Sequence, residues 1–76
     1  MTDQIDMNCL GMKCPRPIIE IAKASRKLPP GSRLKVVADD LAFESDVVAW
    51  ADNALASIVS LERDGDRITV QIELPQ

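Results

Sequence analysis

The chain has 76 residues, of which 46% are hydrophobic, and its net charge at pH 7 is −3. Two cysteines are too few for a disulfide-stabilised secreted domain. No apolar run approaches the roughly 20 residues that span a bilayer, and the N-terminus has no apolar signal core. We therefore expect one domain over residues 1–76 with a conventional core, no membrane association, and a location in the reducing cytoplasm.

The first predicted elements are a strand, a short loop and a helix. Residues 5–9 alternate between apolar and polar types, which predicts a strand with one buried face. A short connection follows the strand, and Gly11 gives its backbone conformational freedom. Over residues 15–28 the apolar residues recur at helical spacing, with Pro15 at the first helical position, and Pro29-Pro30-Gly31 ends the helix.

A second strand and a second helix follow. Leu34, Val36 and Ala38 lie at alternate positions, which predicts the strand. The helix is predicted over residues 42–55, and acids at its start complement its dipole. Its inward stripe is predicted to be Val47, Trp50, Ala51 and Ala54.

The last third of the chain is predicted to be a β-hairpin. Residues 58–62 and 67–74 flank Asp64-Gly65, a favoured two-residue loop. With that loop, the expected opposite pairs are Arg63 with Asp66, Glu62 with Arg67, Leu61 with Ile68, and Val59 with Val70. The order β-α-β-α-β-β, with one polar sheet face, predicts a two-layer α/β sandwich with both helices on one face and a right-handed first crossover.

Cys14 is the candidate catalytic residue, because it directly precedes the first helix. At a helix cap, free backbone N–H groups and the positive end of the dipole would stabilise its thiolate. Lys13 and Arg16 flank it with positive charge, and Pro15 and Pro17 stiffen the entry to the helix. We therefore expect a lowered pKa for Cys14. The alternative is a buried thiol that only packs.

The chain has no histidine and no tyrosine, which excludes a Cys–His catalytic pair. With no evident helper residue, the remaining chemistry is exchange at sulfur. Cys9 is interpreted as an inward strand residue, with a resolving thiol as the alternative. Two thiols are too few for a one-chain zinc site, so no metal is expected. A group of carboxylates could suggest a cation site, but is better explained as a solvated helix start: Asp39, Asp40, Glu44 and Asp46.

The charge is unevenly distributed along the chain. Residues 12–36 hold seven basic residues and one acid, a net +6, and the remainder is net −9. Lys23, Arg26 and Lys27 are candidate docking residues for an acidic partner, or simply a solvated helix face. Net acidity and few aromatic residues argue against direct nucleic-acid binding.

The sequence of residues 8–17, Asn-Cys-Leu-Gly-Met-Lys-Cys-Pro-Arg-Pro, resembles the signature of TusA-like (SirA/YedF/YeeD-type) sulfur-carrier proteins. The resemblance continues through Pro30-Gly31, Asp39-Asp40, Asp46, Trp50 and the terminal hairpin. It implies a four-stranded mixed sheet with two helices on one side. It also implies that Cys14 accepts a sulfane sulfur, carries it as a persulfide without any other cofactor, and passes it to a partner's cysteine. The site-supporting residues are then Gly11, Lys13, Pro15, Arg16 and Pro17.

The resemblance further implies the partners. Donors would be cysteine desulfurases or rhodanese-like proteins, and acceptors DsrE-like or TusD-type proteins, in tRNA thiolation, molybdenum-cofactor maturation or sulfur oxidation. The chain departs from the family pattern at Asn8, where aspartate is usual, and at Leu55-Ala56, where many members carry a Gly-His or Glu-His pair. Two other functions stay open: a regulatory or RNA/protein-binding module, and a thiol redox protein using Cys9 and Cys14.

Overall fold

The computed structural model describes residues 4–75, and its elements follow the predicted order. The four strands are β1 (Gln4–Cys9), β2 (Arg33–Ala38), β3 (Ser57–Asp64) and β4 (Arg67–Glu73). The two helices are α1 (Arg16–Lys27), between β1 and β2, and α2 (Phe43–Ala54), between β2 and β3. The α/β class and the β-α-β-α-β-β order are confirmed.

The strands form one mixed sheet in the order β1-β2-β4-β3. β1 runs parallel to β2, which the α1 crossover allows, while β4 is antiparallel to both β2 and β3. Both helices pack on one face, since Ile21 of α1 and Val47 of α2 share a core with the inward strand residues. The other face carries polar residues such as Lys35 and is open, as a two-layer sandwich requires.

The core lies between the sheet and the helices. Most of its fully buried side chains come from β2, β4 and one stripe of each helix, and β1 contributes Cys9. On α2 this stripe is Phe43, Val47 and Ala51, at successive steps of four residues. Trp50 and Ala54, which we expected inside, are only half-buried. The inward face of α2 therefore includes Phe43 in the first turn, whose large ring is buried, and excludes Trp50 and Ala54.

The hairpin forms, but its loop lies one residue later in the chain than predicted, and the predicted strand pairing is therefore wrong. The loop is Gly65-Asp66, Asp64 pairs with Arg67, and Leu61 lies opposite Val70. Only Gly65 in the loop has a positive φ, 62°, which fits a turn with glycine at its first central position. Moving a two-residue loop by one position shifts the pairing by two residues and leaves each side chain on its face. The alternating pattern therefore fits either loop equally well.

The shifted loop places Leu61 opposite Val70, and a β-bulge in β3 leaves Val59, which was predicted to pair with Val70, without a partner on β4. The register shifts between Ile58 and Ser60, so that Ile58 lies opposite Ile72 and Val59 is 44% exposed. The extra residue lets Ile58 pack on the core while the strand stays in the sheet. Nothing in the alternation of residues 57–64 marks which position is inserted.

The helix bounds lie within two residues of those predicted. α2 ends in a Schellman-type cap, in which the N–H of Ala56 donates to the carbonyl of Ala51 at 2.9 Å. The capping residue, Leu55, has a left-handed φ of 60° and is 80% exposed.

Over residues 4–75, neither helix has the length and apolar content that crossing a membrane would take.

Candidate functional site: the loop and helix start around Cys14

The loop after β1 is held by a tight turn and two side chains. The N–H of Met12 donates to the carbonyl of Cys9 at 3.2 Å, and Gly11 has a φ of 80° at the third position of this turn. A positive φ at that position favours glycine. The Asn8 carboxamide oxygen accepts from the N–H of Leu10 at 3.0 Å. The Asp39 carboxylate, from the end of β2, accepts from the N–H of Gly11, also at 3.0 Å. The segment before Cys14 is thus attached to two strands.

Cys14 lies one residue before the cap of α1, not at the cap as expected. The cap residue is Pro15, and α1 starts at Arg16 with Pro17 in its first turn. A turn precedes the helix, closed by the N–H of Arg16 donating to the carbonyl of Lys13 at 2.9 Å, and it contains the cis Cys14–Pro15 peptide bond.

This helix start offers no free backbone donor to the thiol from residues 16–19. The N–H of Arg16 is bonded to Lys13, and those of Ile18 and Ile19 are both bonded to the carbonyl of Pro15, each at 3.1 Å. Pro17 has no N–H. The prediction that orphan N–H groups stabilise the Cys14 thiolate is therefore wrong, because carbonyl groups of the preceding turn already accept their hydrogen bonds.

The thiol of Cys14 is exposed and donates a hydrogen bond to Asp46 Oδ2 at 2.5 Å. Asp46 is half-buried in the first turn of α2. The hydrogen bond to Asp46 raises the pKa of Cys14, and slight desolvation and the negative charges of Asp46 and Asp40 add to the rise. The expected lowering of this pKa is thus contradicted.

The contradiction has a simple electrostatic cause. Lys13 and Arg16 are neighbours of Cys14 in the chain, and on that basis the thiol belongs to the basic part of the sequence. The fold brings the acidic start of α2 to the same point, and a carboxylate in direct contact with sulfur outweighs solvent-exposed cations. The thiol lies where a basic helix meets an acidic one.

The carboxylates at the start of α2 are each engaged with the protein. Asp40 accepts from the N–H of Ala42 at 3.3 Å and so organises the entry to the helix. Glu44 forms an ion pair with Arg63 of β3, and Asp39 and Asp46 hold the loop and the thiol. Within the described residues, no three His, Cys, Asp or Glu side chains come together as a metal ion would need.

The other predicted site residues divide into packing and surface positions. Pro17 is fully buried in the core, so it anchors the helix start as well as stiffening it. Lys13, Pro15 and Arg16 are exposed around the thiol. The candidate docking residues of α1 are all exposed: Lys23, Arg26 and Lys27.

Cys9 is an inward residue of β1, as favoured from the sequence. It is 1% exposed and belongs to the core cluster. Burial, and secondarily the negative charge of Glu20, raises the pKa of Cys9. Both properties disfavour Cys9 as a resolving thiol, which must be accessible and ionised to attack.

Sequence reasoning missed the roles of Asp46 and Asp39. Asp46 lies 32 residues from Cys14 in the chain, and Asp39 lies 28 residues from Gly11. Acids at a helix start have an ordinary explanation in the dipole, which hid their contacts. The only available signal was that the resemblance to the sulfur carriers includes both positions.

Both the sequence and the fold of the chain are similar to those of known proteins. The family model described as sulfurtransferase TusA matches residues 5–74. The crystal structure of the SirA-like protein from Desulfitobacterium hafniense is similar, with a TM-score of 0.81 and 26% sequence identity. The match covers 95% of this chain and 100% of that one. The chain therefore belongs to the TusA sulfurtransferase family.

Proposed function

We propose that this protein is a sulfur carrier in which Cys14 accepts a sulfane sulfur, holds it as a persulfide, and gives it to a cysteine of a partner protein. The observation that carries the proposal is the exposed, free thiol of Cys14 on a loop fixed to two strands. Membership of a sulfurtransferase family supports the same chemistry.

An exposed thiol on an open surface favours a protein as the sulfur donor and acceptor. A depression of about 680 Å³ lies between α2 and β3, and Cys14 is not among its lining residues. A small substrate is usually held in a concave site that buries most of its surface. A persulfide on Cys14 would instead project from the surface, where a second protein's thiolate can attack its outer sulfur.

The two alternative functions gain no support from the structure. A Cys9–Cys14 redox couple would need a buried strand residue to reach an exposed loop residue. An RNA-binding surface would need exposed aromatic side chains for stacking. Phe43 is buried and Trp50 is half-buried, and the chain has no tyrosine.

The proposed partners are those that the resemblance to TusA-like sulfur carriers implies. We propose a cysteine desulfurase or a rhodanese-like protein as donor, and a DsrE-like or TusD-type protein as acceptor. The reaction would take place in the cytoplasm, where two free thiols stay reduced. Thiolation of tRNA, molybdenum-cofactor maturation and sulfur oxidation all fit such a relay, with no bound cofactor beyond the persulfide itself.

The basic face of α1, defined here as Arg16, Lys23, Arg26 and Lys27, is proposed as the docking surface. Ile19 is 47% exposed and follows Arg16 by three residues, so an apolar contact lies within the ring of positive charge. An apolar centre with a charged rim is the usual composition of an interface. Arg26 and Lys27 also complement the C-terminal end of the helix dipole, which is a structural role independent of any partner.

Intact-mass measurement after sulfur loading tests the proposal. The protein is incubated with a cysteine desulfurase and cysteine, or with inorganic polysulfide. We expect the mass of one sulfur atom to be gained by the wild type and by Cys9→Ala, and not by Cys14→Ser. A loss of two hydrogens would indicate a disulfide and a redox function. An unchanged wild-type mass would favour the binding module.

A further inference from the structure

We propose that Asp46 carries the proton of the sulfur-transfer reaction: it accepts the proton of Cys14 on loading and returns a proton to the same sulfur on discharge. The inference rests on the proposed function of Cys14 and goes beyond it, because it adds a second residue to a reaction otherwise assigned to a lone thiol. Its basis is the hydrogen bond from Cys14 Sγ to Asp46 Oδ2.

The geometry singles out Asp46. It is the one side chain in the described residues with a hydrogen bond to the thiol, and the chain has no histidine or tyrosine that could act instead. Its backbone N–H donates to the carbonyl of Ala42 at 3.0 Å, within the first turn of α2. A carboxylate fixed on a helix at 2.5 Å from sulfur has the reach that a general base requires.

The loading step balances without an oxidant or a reductant. Cys14 Sγ forms a bond to the outer sulfur of a donor persulfide, R–S–SH, while the donor's S–S bond breaks and its electron pair goes to the inner sulfur. The proton of Cys14 passes to Asp46 and from there to that inner sulfur. The products are the Cys14 persulfide and R–SH.

The discharge step is the reverse with a different thiol. An acceptor thiol attacks the outer sulfur of the Cys14 persulfide and gives its proton to Asp46. The S–S bond breaks, and Cys14 Sγ leaves with the electron pair and takes the proton from Asp46. Protonating the leaving sulfur assists this step as it does other displacements at sulfur, whose rates depend on the leaving thiol.

The charges around the thiol explain why a proton acceptor is needed. Asp46 and Asp40 face it from α2 and its preceding loop, and they raise its pKa. Lys13 and Arg16, which are close to Cys14 in the chain, are solvent-exposed, and their positive charges do not offset those of the two carboxylates. The resting thiol is therefore protonated at neutral pH and protected from adventitious electrophiles, and it must lose its proton to attack.

The variant Asp46→Asn separates proton transfer from a simple electrostatic effect. The amide keeps the shape of the side chain, cannot accept the thiol proton as a base, and removes the negative charge. Cys14 should then ionise at lower pH, so its alkylation by iodoacetamide at neutral pH should become faster. Single-turnover loading from inorganic polysulfide should nevertheless slow by about 100-fold, the lower range for an acid–base group, because the departing sulfur, unlike iodide, takes its proton from Asp46.

Matched variants complete the test. Asp52→Asn, an exposed position on the same helix, should change neither rate, and Asp46→Glu should recover part of the loading rate. In the wild type, loading should be nearly independent of pH through the neutral range, whereas in Asp46→Asn it should rise with the thiolate fraction. The wild-type pH profile requires no variant to fold.

The outcomes are separable from failure of the proposed function. If Cys14 loads sulfur in the wild type but Asp46→Asn loads as fast or faster, in parallel with its alkylation, the role of Asp46 is overturned and the carrier function stands. If the wild type itself gains no sulfur on Cys14, both proposals fail.

Discussion

At the scale of single residues, the thiol of Cys14 lies between charges of both signs. Its neighbours in the chain are cationic, but the atom it contacts is a carboxylate oxygen of Asp46. Its reactivity therefore depends on exposure and on the removal of a proton, rather than on a standing thiolate. This protonation state suits a carrier that reacts only when a partner is present.

The raised pKa of Cys14 predicts the pH dependence of its alkylation. Because the folded protein favours the neutral thiol, the thiolate forms at higher pH in the folded chain than in the chain unfolded by denaturant. The alkylation rate, read by mass at Cys14, should therefore rise at higher pH when the protein is folded. A folded-state midpoint equal to or below the unfolded one would contradict the contact with Asp46.

The upward shift of the Cys14 pKa on folding also predicts a loss of stability at alkaline pH. A thiol whose pKa is raised by folding stabilises the protein below its unfolded pKa, and this contribution is lost as pH rises through the folded pKa. Cys9 has its pKa raised by burial and acts in the same direction.

The residues of the site differ in how far the sequence could reveal them. Cys14 and the two prolines could be found from local pattern, because helix initiation is a local property. The hydrogen bond to Asp46 could not, since no local rule places α2 against the loop before α1. The charge count along residues 12–36 failed for the same reason, because it ignores what the fold brings near.

At the scale of elements, the end of α2 departs from an otherwise regular pattern. Leu55 adopts a left-handed conformation that glycine adopts without steric cost, and its side chain is 80% exposed. With leucine rather than glycine at this position, the helix cap keeps its hydrogen bonds at the cost of backbone strain.

Replacing Leu55 by glycine should stabilise the protein. The expected gain in the free energy of unfolding is about 1 kcal/mol, from relief of the left-handed strain of an L-residue. Leu55→Ala keeps a Cβ and should gain much less, which separates backbone strain from loss of an exposed apolar side chain. Denaturant unfolding of the three proteins measures both; destabilisation by Leu55→Gly would contradict the assigned cap.

The elements themselves were predictable because each has a strong local signal. The two helices begin near proline or acidic residues, and the strands alternate. The hairpin register was not predictable, because the Asp64-Gly65 and Gly65-Asp66 loops keep the same faces together and differ only in the turn conformation that Gly65 adopts. The bulge at Val59 is decided by packing of Ile58 against the core.

At the scale of the whole molecule, the fold separates a basic surface on α1 from an acidic start of α2, with Cys14 at their boundary. The sequence predicted the separation of charge but not that the thiol would contact its acidic side. Long-range electrostatic steering depends on the distribution of exposed charge, and we therefore propose that the basic face of α1 guides an acidic donor to the site.

Charge reversal on α1 tests this docking role. Lys23→Glu with Lys27→Glu should slow loading of Cys14 from a cysteine desulfurase by about 10-fold at low salt. Loading from inorganic polysulfide, which needs no docking, should be unchanged. The matched control is Lys35→Glu with Arg67→Glu, an equal charge change at exposed positions of β2 and β4. Equal desulfurase rates for the two double variants would remove the docking role.

The most direct test of the account is to locate the transferred sulfur. Trypsin cleaves after Lys13, so Cys9 and Cys14 fall in separate peptides. After loading with desulfurase and cysteine, blocking with iodoacetamide and digestion, we expect one additional sulfur on the peptide that begins at Cys14. Additional sulfur on the peptide that contains Cys9, or on neither peptide, would contradict it.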